Sequence, residues 1–150
     1  MNNEEEIKLQ LESKFSYLEG RILIQRPRRM YMEVEYANLM GLLQYAEAQL
    51  GFKFLVTITG LDEGDKLALV YHIGRDPGIM LNIKTSVPKS APKVISVMDI
   101  YPNAEIYERE IVDLFGAQVE GLPSGNRYPL TDDWPQGEFP LRKDWKQKDE

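Results

Sequence analysis

Cysteine is absent from the 150 residues of this chain. Without it there can be no disulfide, no thiolate-ligated iron–sulfur cluster, no zinc–thiolate site and no cysteine nucleophile. Histidine is nearly absent too, since His72 stands alone in an apparent strand. One such histidine favours a structural role over a metal site or an acid–base relay. We therefore expect this chain to bind no metal and no redox cofactor.

Long apolar runs are also missing, because no stretch approaches the roughly 20 residues that a transmembrane helix needs. The start of the chain, Met1–Gln10, is acidic and unlike a signal peptide. We expect a cytoplasmic protein that reaches a membrane only through a partner. The net charge of −6 argues against nucleic-acid binding, which requires a concentrated basic face.

One basic segment interrupts this acidic background. Arg21, Arg26, Arg28 and Arg29 lie close together and have acidic residues on both sides. Two interpretations stay open. The arginines mark a solvated hairpin edge, where charge discourages edge-to-edge aggregation, or they form a docking patch for an acidic partner.

Hydrophobic periodicity predicts an α+β domain, with a small, mainly antiparallel sheet and helices on one face. Short turns at 62–65 and 76–78 indicate an antiparallel meander of three strands. Phe52, Phe54, Val56 and Ile58 are predicted to line one face of the first of these strands. A later helix is predicted over Ala104–Phe115, ended by the glycine that follows it.

The last 35 residues combine four glycines and four prolines with both tryptophans, Trp134 and Trp145. Long loops in compact domains are usually functional or disordered, and disordered segments contain few large aromatics. We therefore predict two parts: an α+β domain over 1–115, and an extended C-terminal arm over 116–150 that docks on partner subunits. Tryptophan and arginine commonly anchor such contacts.

Charged residues in the predicted third helix are spaced one turn apart, with Arg109 between Glu105 and Asp113. Three interpretations compete: acid–base carboxylates such as Glu108 and Glu110 in an isolated hydrolase, a solvated helix face, or a surface that binds a partner. No histidine lies near any serine, and no nucleotide-binding loop is present. The partner-binding interpretation is favoured.

Residues 107–116, Tyr-Glu-Arg-Glu-Ile-Val-Asp-Leu-Phe-Gly, closely resemble the Glu-Arg-Glu-x-x-Asp-x-Phe-Gly signature of the respiratory complex I 30-kDa subunit family. Leu130–Pro135 and Pro140–Trp145 resemble the second and third blocks of that family. Three blocks in the same order make this resemblance specific. The chain stops soon after Trp145, and this shortness resembles the short form in membrane-bound energy-converting [NiFe]-hydrogenases.

The resemblance implies a non-catalytic scaffold subunit on the inner face of the cell membrane. Its implied partners are a large catalytic (49-kDa-like) subunit, with a nickel–iron site or a quinone cavity, and subunits that carry iron–sulfur clusters. The equivalent subunit of a complex I-type NADH/quinone or F(420)H(2) dehydrogenase is the first alternative, and a free-standing small-molecule-binding domain is the second. The implied partner-binding residues are Glu108, Arg109, Glu110, Asp113, Phe115, Arg127, Asp133, Trp134, Leu141, Arg142, Lys143, Asp144 and Trp145.

Overall fold

The computed structural model describes residues 3–125 and 127–149. Met1, Asn2, Asn126 and Glu150, which fall within the two predicted parts of the chain, lie outside the described residues. The described elements are α1 (Asn3–Lys14), β1 (Leu23–Arg26), β2 (Arg29–Glu33), α2 (Tyr36–Leu50), β3 (Phe54–Asp62), β4 (Lys66–Arg75), β5 (Ile79–Pro88), β6 (Lys93–Ile95), α3 (Ala104–Phe115) and β7 (Gln118–Glu120).

The fold is α+β, as predicted, but its sheets are mixed. Five strands form one sheet in the order β1-β2-β5-β4-β3. β1 and β2 are antiparallel, and the three-residue connections of β3 to β4 and of β4 to β5 require antiparallel pairs. β2 and β5 pair in parallel, as do β6 and β7 in a separate two-stranded sheet. Three of the four pairings in the five-stranded sheet are thus antiparallel, in line with the prediction of a mainly antiparallel sheet. The two parallel pairings, each between strands far apart in sequence, were not predicted.

The third helix has the predicted bounds, because local signals set both of its ends. Pro102 precedes it, and Gly116 follows in the left-handed conformation, with φ of 77°. The Gly116 N–H donates to the Val112 carbonyl at 3.0 Å, as expected of a glycine that ends a helix. In the described part of the chain, no helix combines the length and the apolar character needed to span a membrane.

The first strand of the meander differs from its predicted pattern. Phe54 and Val56 are exposed, whereas Leu55 and Ile58 are buried. The buried positions lie three residues apart, so this edge strand does not keep a strict alternation. Of the four residues predicted to share one face, Phe52 and Ile58 are buried, and the prediction was wrong for Phe54 and Val56.

The chain divides into two compact units. Unit 1 comprises residues 1–57 and 70–85 and contains α1, α2, β1 and β2. Unit 2 comprises residues 58–69 and 86–150 and contains the tip of the β3–β4 hairpin, α3, β6 and β7. Beyond β7, residues 121–125 and 127–149 form no helix or strand. The predicted long extended arm over 116–150 is not confirmed, because described residues of this segment bond to α3. Its docking on partner subunits stays a prediction.

Candidate partner-binding site

α3 buries one face along most of its length. Its interior residues follow helical spacing, with Ala104, Glu108, Ile111 and Phe115 all on that face. Three of these side chains are apolar, so the carboxylate of Glu108 enters an otherwise hydrophobic environment. A buried carboxylate requires hydrogen-bond partners.

Glu108 finds two partners within unit 2. Its carboxylate accepts the Ser96 hydroxyl at 2.7 Å and the Val97 N–H at 3.2 Å. These bonds join the segment between β6 and α3 to the helix. Burial raises the pKa of Glu108, and the two hydrogen bonds oppose that rise. In this structure Glu108 is an interior residue, and its predicted role in partner binding stays untested.

We expect a Glu108→Gln variant to gain stability relative to the wild type as pH rises. Between its ordinary pKa of 4.5 and its raised folded-state pKa, the folded state binds more protons than the unfolded state. The stability contributed by this group is thus complete below the unfolded pKa and is lost as pH rises through the folded pKa. Glutamine does not titrate, and its amide can bond to both Ser96 and Val97. Urea unfolding of both proteins at acidic and neutral pH measures the difference, and a difference independent of pH would contradict the expectation.

Arg109 lies on the opposite side of α3 and is also held within unit 2. Its guanidinium donates to Glu105 Oε1 at 2.8 Å and to the Pro123 carbonyl at 2.6 Å. A Cβ added to Gly125 would lie 2.9 Å from Arg109 Nη2, so the chain after β7 passes close to this guanidinium. Of the two carboxylates predicted beside Arg109, only Glu105 bonds to it.

A surface groove of about 420 Å³ adjoins Arg109. Its apolar side chains are conspicuously accessible, since Ile106 is 46% exposed and Tyr128 is 42% exposed. Pro102, Asn103 and Glu105 complete the lining. Exposed apolar side chains around a groove often mark a contact with another molecule.

Asp113, the other carboxylate predicted beside Arg109, is buried and bonds to two residues within 116–150. Its Oδ1 lies 3.3 Å from Arg127 Nε, and its Oδ2 accepts the Leu130 N–H at 3.1 Å. Arg127 also donates to the Trp134 carbonyl at 2.5 Å. Asp113 and Arg127 were both predicted site residues, and the structure brings them together in an ion pair. Through this pair, residues 127–134 are attached to α3.

The end of α3 makes a second attachment to the arm. Arg142 Nε donates to the Phe115 carbonyl at 2.6 Å, and the Leu141 N–H donates to the Leu114 carbonyl at 3.0 Å. These donors satisfy carbonyls that a helix C-terminus leaves unpaired, and the guanidinium adds a favourable charge there. The same guanidinium lies 4.9 Å from the centre of the Phe139 ring.

Asp62 makes a third attachment, one that no pattern in the sequence predicted. Its carboxylate is buried and accepts Lys89 Nζ at 2.7 Å, the Lys143 N–H at 2.8 Å and the Gly64 N–H at 2.9 Å. The hydrogen bond from Lys89, ahead of those from the two backbone N–H groups, lowers the pKa of Asp62. The bond to Asp62 raises the pKa of Lys89 in turn. The turn residues Asp62 and Gly64 were visible in the sequence, but nothing there linked them to Lys143.

The two tryptophans of the arm contact each other. Their ring centres are 5.7 Å apart, and the Trp134 indole N–H donates to the Glu138 carbonyl at 2.8 Å. Both are half-buried. Among the other predicted site residues, Glu110 is half-buried, and Asp133, Leu141, Lys143 and Asp144 are exposed. Asp144 also lies 3.4 Å from Lys89 Nζ. The partner-binding role of these exposed side chains stays a prediction.

Within residues 3–125 and 127–149, no group of three or more histidine, aspartate or glutamate side chains is placed to hold a metal ion. His72 is held instead by Asn82, whose Oδ1 lies 2.6 Å from the ring Nδ1. This contact belongs to unit 1.

Comparison with known proteins identifies the family. A family model described as the 30-kDa subunit of respiratory-chain NADH dehydrogenase matches residues 32–150. The chain is 33% identical to one of the subunits of the F(420)H(2) dehydrogenase of Methanosarcina mazei, over 90% of this chain and 87% of that protein. It is also 33% identical to the beta subunit of the membrane-bound hydrogenase of Pyrococcus furiosus, over 75% of this chain and 65% of that protein.

A solved structure agrees with these matches. In the membrane-bound sulfane sulfur reductase, an archaeal respiratory membrane complex, one chain superposes with a TM-score of 0.83 and 30% identity. The superposition covers 97% of this chain and 86% of that one. The resemblance read from the three sequence blocks is confirmed: the chain belongs to the 30-kDa subunit family of respiratory-chain NADH dehydrogenase.

Proposed function

We propose that the chain is a non-catalytic scaffold subunit of a membrane-bound [NiFe]-hydrogenase-like or related ion-translocating oxidoreductase complex, where it holds the large catalytic and iron–sulfur subunits together. The observation that carries this proposal is the surface of unit 2. Ile106, Tyr128 and Leu141 are all at least 42% exposed there, beside an arm that is attached to its own helix. A surface with accessible apolar and aromatic side chains suits stable contacts between subunits.

The electron carriers belong, in this proposal, to the partner subunits. The chain has no cysteine for a cluster and one histidine, and that histidine bonds to an asparagine. Iron–sulfur clusters and a nickel–iron site would then lie in neighbouring subunits. Because electron transfer slows steeply with distance, a subunit that fixes their spacing is important without carrying electrons. The chain would sit on the cytoplasmic face of the membrane, attached through the complex.

One alternative parent enzyme is favoured by a specific comparison. The identity to the F(420)H(2) dehydrogenase subunit of Methanosarcina mazei extends over 90% of the chain, so a complex of that type, or an NADH/quinone enzyme, is the second candidate. A free-standing small-molecule-binding domain is the third. Purification of the tagged chain from its source separates them: mass spectrometry should find cluster-bearing subunits of one parent enzyme, whereas a free-standing domain would come away alone.

We expect Arg109→Ala to impair assembly more than folding. Arg109 borders the exposed groove, and its removal leaves Glu105 without its cation. If a partner covers this surface, the stranded carboxylate should cost about 2–5 kcal/mol of association free energy, which is roughly 30-fold or more in affinity. Within the folded chain, the Arg109 side chain is 17% exposed and that of Glu105 is 45% exposed. The ion pair and the hydrogen bond to the Pro123 carbonyl should each contribute about 1 kcal/mol to folding.

Two measurements test this expectation: thermal unfolding of the isolated chain and recovery of the assembled complex. Lys66→Ala is a suitable control, because Lys66 is an exposed cation at the start of β4. The control should leave both quantities unchanged. Normal assembly of the Arg109 variant would show that α3 is not part of a partner-binding surface.

A further inference from the structure

The β1–β2 hairpin of unit 1 carries an unusual concentration of one residue type. Four of the eight arginines of the chain lie within residues 21–29, and no lysine occurs among them. Arg29 has a structural role, since its Nη1 donates to the Arg28 carbonyl at 2.8 Å and to the Gly78 carbonyl at 3.1 Å. It thereby ties the β1–β2 turn to the β4–β5 turn.

The other three arginines are exposed. Arg21 precedes β1, Arg26 ends it, and Arg28 lies in the two-residue turn that follows. None of the three forms an ion pair with any residue in the described ranges. One carboxylate lies against the hairpin, because Glu4 accepts the Arg28 N–H at 2.5 Å. Three exposed guanidinium groups against this one carboxylate still make the hairpin a local cationic surface in a chain of net charge −6.

Two features of these arginines are energetically unfavourable, one of them conformational and the other electrostatic. Arg28 has a positive φ of 64° and follows Pro27, in a turn position where glycine is the favoured residue. Arg26 lies directly opposite Arg29 in the antiparallel pair, and like charges in that arrangement are destabilising. Protection of an edge strand against aggregation explains a charge at Arg26, but it does not explain an arginine in the left-handed position of the turn.

We propose that this hairpin is a docking surface for an acidic segment of another subunit. The inference rests on the proposed function, because it takes the chain to be part of a larger complex. Charge complementarity indicates an acidic partner, and the use of arginine in place of lysine indicates that the partner's acidic groups are carboxylates. Guanidinium groups form paired hydrogen bonds with carboxylates, whereas attraction to an anionic membrane surface is served equally by lysine. The family match begins at residue 32, so family membership does not assign a role to residues 21–29.

The test begins with a variant that removes the charges and keeps the fold. Arg28→Gly places the favoured residue in the turn, and Arg21→Gln and Arg26→Gln keep long polar side chains. The triple variant should unfold at the wild-type temperature or above. Its rebinding to the remainder of the purified complex should be weaker by roughly 30-fold or more, the order expected when desolvated charge pairs are lost. A matched control, Lys8→Gln/Lys14→Gln, removes two cations from α1 and should rebind normally.

A second measurement identifies the contacted groups. In the complex containing Arg26→Lys and Arg28→Lys, a water-soluble carbodiimide joins a lysine amine to a carboxylate only when the two are in contact. The expected product is a cross-link from position 26 or 28 to an aspartate or glutamate of another subunit. Normal rebinding of the triple variant, with no such cross-link, would overturn the inference while leaving the scaffold proposal intact. If the wild-type chain binds no other subunit, the scaffold proposal itself fails.

Two further outcomes would also overturn the inference in favour of another occupant. A cross-link to a second copy of this chain, together with a dimer in solution, would assign the hairpin to self-association. The hairpin would be assigned to the membrane if the wild-type chain binds vesicles that contain phosphatidylglycerol but not phosphatidylcholine vesicles. This binding would have to be lost in the triple variant, and no cross-link to another subunit would be found.

Discussion

Replacing Phe115 with alanine is expected to lower the free energy of unfolding of the isolated chain by about 3–5 kcal/mol. The Phe115 side chain is buried at the end of α3, and its ring lies against the backbone of Gly60 in β3. A Cβ built on Gly60 would come within 2.5 Å of Phe115 Cε2. Phe115 was predicted as a partner-binding residue, and a loss of this size without any partner present would give it a core role.

A double-mutant cycle with Gly60 isolates this contact. In the wild type, Gly60→Ala should cost about 1–3 kcal/mol, because the added methyl group displaces the aromatic ring. In the Phe115→Ala background the same change should be neutral, or stabilising by roughly 0.5–1 kcal/mol, because alanine is favoured over glycine within a strand. Urea unfolding of the four proteins measures the coupling. An equal cost of Gly60→Ala in both backgrounds would show that the ring is not the obstacle.

Asp113→Ala is expected to cost about 2–3 kcal/mol and to release the first part of the arm. The change leaves the Arg127 guanidinium and the Leu130 N–H without their shared acceptor. Removing one member of a buried ion pair typically costs about 3–5 kcal/mol. The expected loss is smaller here because the Arg127 side chain is 23% exposed, so water partly compensates.

Limited trypsinolysis reports on the release, since cleavage after Arg127 requires that segment to leave α3. Cleavage should be faster in the Asp113 variant than in the wild type, and complex assembly should fall with it. Asp132→Ala is the control, because Asp132 is an exposed carboxylate in the same segment. It should change stability by less than about 0.5 kcal/mol. Wild-type cleavage rates in the Asp113 variant would mean that other contacts hold residues 127–134.

Local sequence signals predicted the third helix correctly, but they did not predict which strands distant in sequence pair with each other. Proline before the helix and Gly116 after it act within a few residues, so α3 was bounded to the residue. The parallel pairing of β2 with β5 joins Met30 to Leu81, across α2 and two strands. Periodicity within either strand is the same for parallel and antiparallel neighbours, so it could not reveal the crossover.

In the candidate site, too, contacts between residues close in sequence were predicted and contacts between distant residues were not. Helical spacing correctly placed Glu105 beside Arg109, because that contact is one turn long. Spacing also placed Asp113 beside Arg109, but Asp113 is occupied by Arg127, 14 residues further along the chain. The resemblance implied a partner-binding role for Glu108. The Ser96 hydroxyl and the Val97 N–H that allow its burial could not be located from sequence.

Asp62 accepts hydrogen bonds from residues 64, 89 and 143. Because these residues are far apart in sequence, the bonds can form only one after another as the chain is synthesised. When the β3–β4 hairpin emerges from the ribosome, the carboxylate has only its neighbour Gly64 to accept from. Lys89 arrives some 25 residues later, and the Lys143 N–H follows only after about 50 more residues have been added. Asp62 therefore reaches its full set of bonds only once residue 143 has been synthesised, and a nascent chain arrested before Lys143 should leave this carboxylate with fewer donors and greater exposure to solvent.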